Sequence, residues 1–309
     1  MQKILNFLVN NFPNAHNWTY EYLAFRVRES PNTKTPGFFA LATDNISGEI
    51  VGVLSVSFKD ITAAKPLLIA ELGDAYTKVK SYKICDNLSN NFEEKLSHDI
   101  DIAYVKKSTF GALAFRVFAD LDIINPDVVV GYPNEIALKS WTRRLGLRRL
   151  DTLNIDYVRV PCFGLFLEKL FPAVYKNKIK QDYSSFYNAP SNEFDARILK
   201  ELKANYSNCL KVVPISAGLL ASIDFERKLT ILYANKRRKS KYFFKIIGLL
   251  LSPRLKILSI PTFLIPNILN RFIPLILKHH KPAVVRPKDV SLEKHLGNLE
   301  NQILFCDVP

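Results

Sequence analysis

The segment Ile50-Val51-Gly52-Val53-Leu54-Ser55-Val56-Ser57-Phe58 carries no charge and is dominated by β-branched and large apolar residues. A run of that kind reads as a strand. It therefore commits this part of the chain to a sheet. Its neighbours supply partners. Phe38-Phe39-Ala40-Leu41-Ala42 is apolar, and Asp44-Asn45 and Ser47-Gly48 give turn chemistry before the strand resumes at Glu49. Leu67 to Thr77 predicts a third strand, with Glu71 and Asp74 towards its end. Residues 78–101 are polar and irregular and read as an inserted loop.

The spacing changes after this loop. Phe110, Leu113, Ala114, Val117 and Phe118 recur at helical intervals over Ser108 to Asp120, with Ser108 or Thr109 as the N-cap. Asn125-Pro126 breaks the chain, and Asp127 to Tyr132 reads as a buried strand. Pro133-Asn134 opens a helix over Glu135 to Leu145, which Gly146 ends. Leu150 to Val160 reads as the last strand of this half. Strands followed by strand, helix, strand, helix, strand predict an α+β (α/β) domain over residues 1–160.

A connector is expected over 161–190, and a second, smaller domain over 191–309. There, Glu193 to Asn205 reads as a helix and Leu210 to Ile215 as a strand. Phe243 to Leu251 with Leu255 to Ile260 read as a hairpin, Ile265 to Leu277 as a helix, and Pro282 to Arg286 as a strand. The His279-His280 pair is expected at an exposed helix terminus. Strand pair, helix, strand repeats the logic of the first half without an exact sequence repeat.

Composition narrows the function classes. Of 309 residues, 43 are Lys or Arg and 29 are Asp or Glu, a net charge of +14, which calls for an anionic partner. The excess is uneven. Residues 1–160 hold 19 basic and 18 acidic side chains, whereas residues 161–309 hold 24 and 11, a net +13. The basic run Lys236-Arg237-Arg238-Lys239-Ser240-Lys241 lies in the second part, and no nucleic-acid module accompanies it, so a specific nucleic-acid partner is not expected. An anionic acceptor, lipid headgroups or a solvated turn each accommodate it. Phe243 to Leu277, rich in Phe, Ile and Leu with interspersed cations, would suit a membrane surface, although its prolines argue against one continuous helix. The four cysteines (Cys85, Cys162, Cys209, Cys306) form no CxxC pair, and no histidine spacing suits a metal. No metal is expected. The apolar patch Ile4 to Val9 is too short for a signal segment. A cytoplasmic protein is expected, with peripheral contact at an inner membrane surface as the alternative.

One local feature carries chemistry. Lys106-Lys107-Ser108-Thr109-Phe110-Gly111 is a basic loop entering a helix, where unpaired N–H groups and positive partial charge favour phosphate. The lysines add charge, the hydroxyls add donors, and Gly111 would let a ligand approach the backbone. An ordinary capped helix with solvated lysines would carry the same residues.

The order of the pieces resembles the GNAT-type acyl-CoA N-acyltransferase superfamily. Lys107-Ser108-Thr109-Phe110-Gly111-Ala112 stands where that superfamily has its pyrophosphate loop, with lysines in place of the usual arginine and the first glycine replaced. Gly131-Tyr132-Pro133-Asn134, Trp141 and Leu145-Gly146-Leu147 are similar to a run found in a polysaccharide- and aminosugar-associated subgroup. Asn17-Trp18-Thr19-Tyr20 and Pro36-Gly37 are similar to that subgroup's early elements. The closing residues, Pro282 onward, resemble the last strands of tandem versions, which implies a degenerate GNAT-like second domain. The resemblance implies an N-acetyltransferase or other acyltransferase with acetyl-CoA or another acyl-CoA as co-substrate. The acceptor would be a small-molecule amine, such as a nucleotide-linked or lipid-linked sugar. Cofactor contacts would come from Thr77, Lys106, Lys107, Ser108, Thr109, Phe110, Gly111, Ala112 and Asn134. Glu71 or Asp74 would serve as base and Tyr132 or Tyr104 as acid. A cap for the following helix is an equally good role for Asn134. A non-catalytic GNAT-like binding or scaffold protein is the alternative.

Overall fold

The computed structural model describes residues 1–13, 18–27, 35–62, 66–78, 100–172, 211–216, 218–223, 227–234, 239–266, 271, 273–274 and 277–287. They form two compact units. The first holds Met1–Leu153 and the described residues from Pro282 onward; the second holds those of Asn154–Lys281. Each is a six-stranded mixed sheet flanked by helices, so both are α+β as expected.

The first unit contains α1 (Gln2–Asn11), α2 (Tyr20–Val27), β1 (Phe38–Thr43), β2 (Ile50–Thr62), β3 (Pro66–Thr77), α3 (Ile102–Val105), α4 (Thr109–Ile124), β4 (Val128–Gly131), α5 (Glu135–Arg143) and β5 (Arg148–Arg149). To these it adds β12 (Val284–Pro287). Its sheet order is β1-β2-β3-β4-β12-β5. β1, β2 and β3 are antiparallel; β3 and β4 run parallel, as a helical crossover requires. The β1–β2 turn is built by Asp44, whose Oδ1 accepts from the N–H groups of Ile46 and Ser47. Gly48 follows at φ 69°, which a side chain would resist.

Alternation along β2 and β3 sends one set of side chains to each face. Leu54, Val56, Phe58, Ala70, Leu72 and Val129 meet Leu113, Ala114, Val117, Phe118 and Leu121 of α4. Phe118 is fully buried, and truncating such a ring costs about 3–5 kcal/mol. On the other face Val53 meets Ile4, Phe7 and Leu8 of α1, Trp18, and Leu23 of α2. The Trp18 indole N–H donates to the Phe12 carbonyl.

The second unit contains β6 (Ile155–Pro161), α6 (Phe163–Leu170), β7 (Lys211–Ser216), β8 (Leu219–Ile223), β9 (Lys228–Ala234), α7 (Lys239–Leu250), β10 (Ile257–Pro261) and β11 (Lys278–Lys281). Its sheet order is β7-β8-β9-β10-β6-β11. Strand for strand, the directions repeat those of the first sheet: antiparallel, antiparallel, parallel, antiparallel, antiparallel. The parallel pair, β9 and β10, again flanks a helix.

Each sheet also holds one strand that its place along the chain does not suggest. β6, expected as the closing strand of the first domain, pairs with β10 and β11. β12, expected in the second domain, pairs with β4 and β5. The apolar pattern of a short strand favours pairing without naming the partner.

Two further expectations are corrected. Phe243–Leu251 is no strand but the body of α7. Tyr242, Ile246 and Leu249 are buried along one stripe, and Phe244 points outward. That i, i+4, i+7 spacing is helical, and it outweighs the β-branched Ile246-Ile247 pair. His279-His280 does not end a helix either; both lie in edge strand β11. The His279 ring stacks on Tyr157, and His280 Nδ1 lies 2.6 Å from Asp156 Oδ1. The expected helix at Glu193 to Asn205 and the loop over 79–99 lie outside the described residues, as does most of the helix expected at Ile265 to Leu277.

Candidate active site

β3 is the strand on which the site depends. Its parallel ladder with β4 runs from Ile69 opposite Val128 to Leu72 opposite Gly131, and stops. β3 continues to Thr77 whereas β4 ends at Gly131, so β3 runs on past the end of its parallel neighbour. At that point β3 is bulged against β2: Ser55 lies opposite Gly73 but Val53 lies opposite Tyr76. A bulge leaves one residue unmatched in the ladder and re-aims the side chains beside it. Here it holds Asp74 at φ 45°, a left-handed conformation that costs a non-glycine residue about 1 kcal/mol or more. Ser55 Oγ donates to Asp74 Oδ2 across 2.9 Å and fixes the half-buried carboxylate just past the end of β4. Tyr132, also half-buried, is the first residue beyond β4.

The two candidate carboxylates are not equivalent. Glu71 lies deep in β3, opposite Ser57 of β2, and is ion-paired with Lys59; both side chains are 3% exposed or less. A buried carboxylate needs such a partner. Lys59 was not singled out in the sequence. Ser55, Ser57 and Lys59 alternate by two in an otherwise apolar strand, and that period places all three on one sheet face. The face is the one that bears α1 and α2, and on it these residues line up with Glu71 and Asp74. The Ser57 hydroxyl is buried with no hydrogen-bond partner among the described residues.

The helix start expected to bind phosphate is present. Ser108 caps α4, its Oγ accepting from the Gly111 N–H. Lys106 and Lys107 stand exposed just before the cap, Ala112 is half-buried, and Thr109 is buried. Thr109 Oγ1 has no hydrogen-bond partner among the described residues, a cost that a ligand oxygen would relieve. The Thr109 methyl and Thr77 both pack where a side chain on Gly52 would lie, so α4 starts close against β2 and the end of β3.

A Cβ on Gly111 would meet the Tyr104 ring and carbonyl at 3.1 Å, so the glycine makes room for Tyr104. The Arg144 guanidinium lies over the Tyr104 ring, 5.9 Å from its centroid. Tyr104 is thereby packed between Gly111 and Arg144, while Tyr132 stands at the end of β4. Arg144 also pairs with Asp101, which caps α3, and its hydrogen bond holds the Asp101 carboxyl below the usual carboxylate range. This cluster ties the segment leading into α4 to the end of α5.

Asn134 caps α5, its Oδ1 accepting from the Ala137 N–H, and is exposed. Within α5, Trp141 lies where a Cβ on Gly131 would be, 2.3 Å from its Cζ3. Phe110 packs against that indole at 5.7 Å between ring centroids. The Gly131 and Trp141 of the sequence motif are thus one contact, a ring seated on a bare strand end. The indole N–H is buried without a hydrogen-bond partner among the described residues. In the second unit Cys162 is buried and its thiol is pushed up to about 12 by desolvation, which removes it as a nucleophile.

No family model matches the chain, and no curated protein matches it. Solved structures to which the chain is similar include the following two. One is Saccharomyces cerevisiae N-myristoyltransferase with bound myristoyl-CoA and inhibitors, at 10% identity and a TM-score of 0.45 over 93% of this chain and 78% of that one. The other is a fungal multi-domain GH3 β-N-acetylglucosaminidase that has a GCN5-related glucosamine N-acetyltransferase region. There the identity is 8% and the TM-score 0.45, over 92% of this chain and 36% of that one. Among the described residues no helix is long and apolar enough to cross a membrane, and no group of three or more metal-ligating side chains occurs.

Proposed function

We propose that the first unit is the catalytic domain of an acyl-CoA-dependent N-acyltransferase. The acceptor is the amine of an aminosugar or related metabolite of surface-polysaccharide synthesis, and the acyl donor is acetyl-CoA or a longer thioester. The observation that carries this reading is Asp74, a carboxylate held in a left-handed bulge where β3 runs on past the end of its parallel neighbour β4, on the domain whose α4 start holds Thr109 and two lysines.

The chemistry assigns one task to each group. The amine nitrogen attacks the thioester carbonyl carbon; the C–N bond forms and the C–S bond then breaks. Asp74 takes the proton that the nitrogen sheds, directly or through a water. Tyr132, at the end of β4, gives a proton to the departing sulfur. Ser55 keeps the Asp74 carboxylate in place. Glu71 is excluded from the base role by its pairing with Lys59 and acts as a structural charge. The coenzyme A phosphates belong at the α4 start, where Thr109 Oγ1 and the Lys106 and Lys107 ammonium groups supply donors and charge. The orphaned Thr109 hydroxyl fits that task, whereas the crowded Gly111 does not contribute to it.

The test pairs acetyl-CoA calorimetry with thiol release during turnover on glucosamine and nucleotide-linked aminosugars. Asp74→Asn is expected to lower kcat by about 100-fold or more while leaving coenzyme A affinity in place. An unchanged kcat refutes the base assignment, and absence of heat at millimolar acetyl-CoA refutes the reading as a whole.

A further inference from the structure

Helix α6 is oriented against the usual rule for a helix on a soluble domain. Phe163, Phe166 and Leu170 fall on one stripe at i, i+3 and i+7, and that stripe faces solvent: they are 47%, 54% and 69% exposed. The face turned inward carries Gly164 and Glu168. Gly164 N–H donates to the Ser252 carbonyl, and Glu168 forms ion pairs with Arg227 at 3.3 Å and Lys256 at 2.7 Å. Leu165 and Leu167 are half-buried beside them, so the helix is fastened by these groups while its Phe163, Phe166 and Leu170 stripe faces outward. Phe171, just past the helix, and Leu251, next to Ser252, are exposed as well. Burying such a stripe against the domain would have been favourable by roughly the transfer energy of three large side chains. A contiguous outward apolar stripe of this kind marks a contact surface.

Charge identifies what it contacts. Residues 161–309 carry a net +13, exposed Lys169 lies on α6 itself, and Lys241 is exposed on α7. Exposed apolar side chains beside a lysine, on a strongly basic part of the chain, match the boundary of an anionic bilayer, where rings enter the headgroup layer and lysines meet phosphates. We infer that α6 of the second unit docks the protein peripherally on an anionic lipid surface through Phe163, Phe166, Leu170 and Phe171. The inference is independent of the acyltransferase reading. It centres the membrane contact on α6, with Leu251 of the Phe243–Leu277 segment beside it, whereas Ile246 and Leu249 of that segment are buried in α7.

The experiment is co-sedimentation of the full chain with vesicles of phosphatidylcholine alone and of phosphatidylcholine with phosphatidylglycerol, at low and high salt. Binding to the anionic vesicles is expected, weakening as salt rises. Phe166→Ser combined with Leu170→Ser should lower the partition coefficient by about tenfold or more, with circular dichroism and the melting profile unchanged. Phe163→Ser combined with Leu251→Ser tests the same patch should the first pair fail to fold. Wild-type protein that stays in the supernatant with anionic vesicles at low salt overturns the inference. So does a folded variant that binds as wild type, or equal binding to neutral vesicles. Wild-type dimers that the same substitutions convert to monomers, without vesicle binding, would assign the patch to a second copy of the chain and overturn it too.

Discussion

Replacing Lys59 by Met removes one half of a buried ion pair and leaves the Glu71 carboxylate without its cation. Both side chains are almost wholly out of water, so solvent cannot take the place of the lost partner. Breaking a buried pair in this way costs about 3–5 kcal/mol. In a domain of this size each kcal/mol moves Tm by about 2–4 °C, so the first unit should melt roughly 6–20 °C lower. The compensated variant behaves differently. Lys59→Met together with Glu71→Leu removes both charges and fills similar volume, and such exchanges are neutral or stabilising by about 1–4 kcal/mol. Calorimetric melts of the two singles and the double complete a cycle whose coupling term isolates the pair. A cost below about 1 kcal/mol for Lys59→Met alone would show that water reaches Glu71, and the argument from desolvation fails. Turnover adds a second reading. With Asp74 as base, the compensated variant keeps its kcat; a folded double variant with no turnover returns the base role to Glu71.

Two further outcomes are expected. Gly131→Ala places a methyl group inside the Trp141 ring on a strand end held between β3 and β12, which should cost about 1–3 kcal/mol; adding Trp141→Leu should recover part of it in thermal melts. His279 should titrate below its ordinary value of about 6.5, because desolvation opposes its charged form and the Arg159 and Lys281 cations add to that. The folded state then binds fewer protons than the unfolded one, so this contribution to stability falls as pH drops below about 6.5. Titration of the imidazole protons by NMR checks the direction, and a value above 6.5 refutes it.

Much of the first unit was legible from local pattern. The β2 and β3 strands, the α4 helix with its Ser108 cap, the buried β4 strand and the Asn134 cap all follow from periodicity and side-chain capping, which act over a few residues. The motif residues Gly131 and Trp141 were visible, but not that they form one contact. A glycine such as Gly111 shows in the sequence that space is needed but not that Tyr104 packs against it. The roles of Glu71 and Asp74 could not be told apart either, since both are carboxylates on one strand. Only the packing of Lys59 across from Glu71, and the bulge that lifts Asp74, separates them. In α6, the sequence contains the apolar stripe but not the direction in which it faces.

The exchange of strands marks the boundary between these two kinds of information. β6 and β12 each have a sequence sufficient to make a strand, and both were recognised as strands. Which sheet each joins is decided by pairing with residues more than ninety positions away: β6 with β10, and β12 with β4. A strand's own pattern states that it will pair and which side chains turn inward. The choice of partner depends on which edge the rest of the chain leaves open, and only the folded molecule settles that.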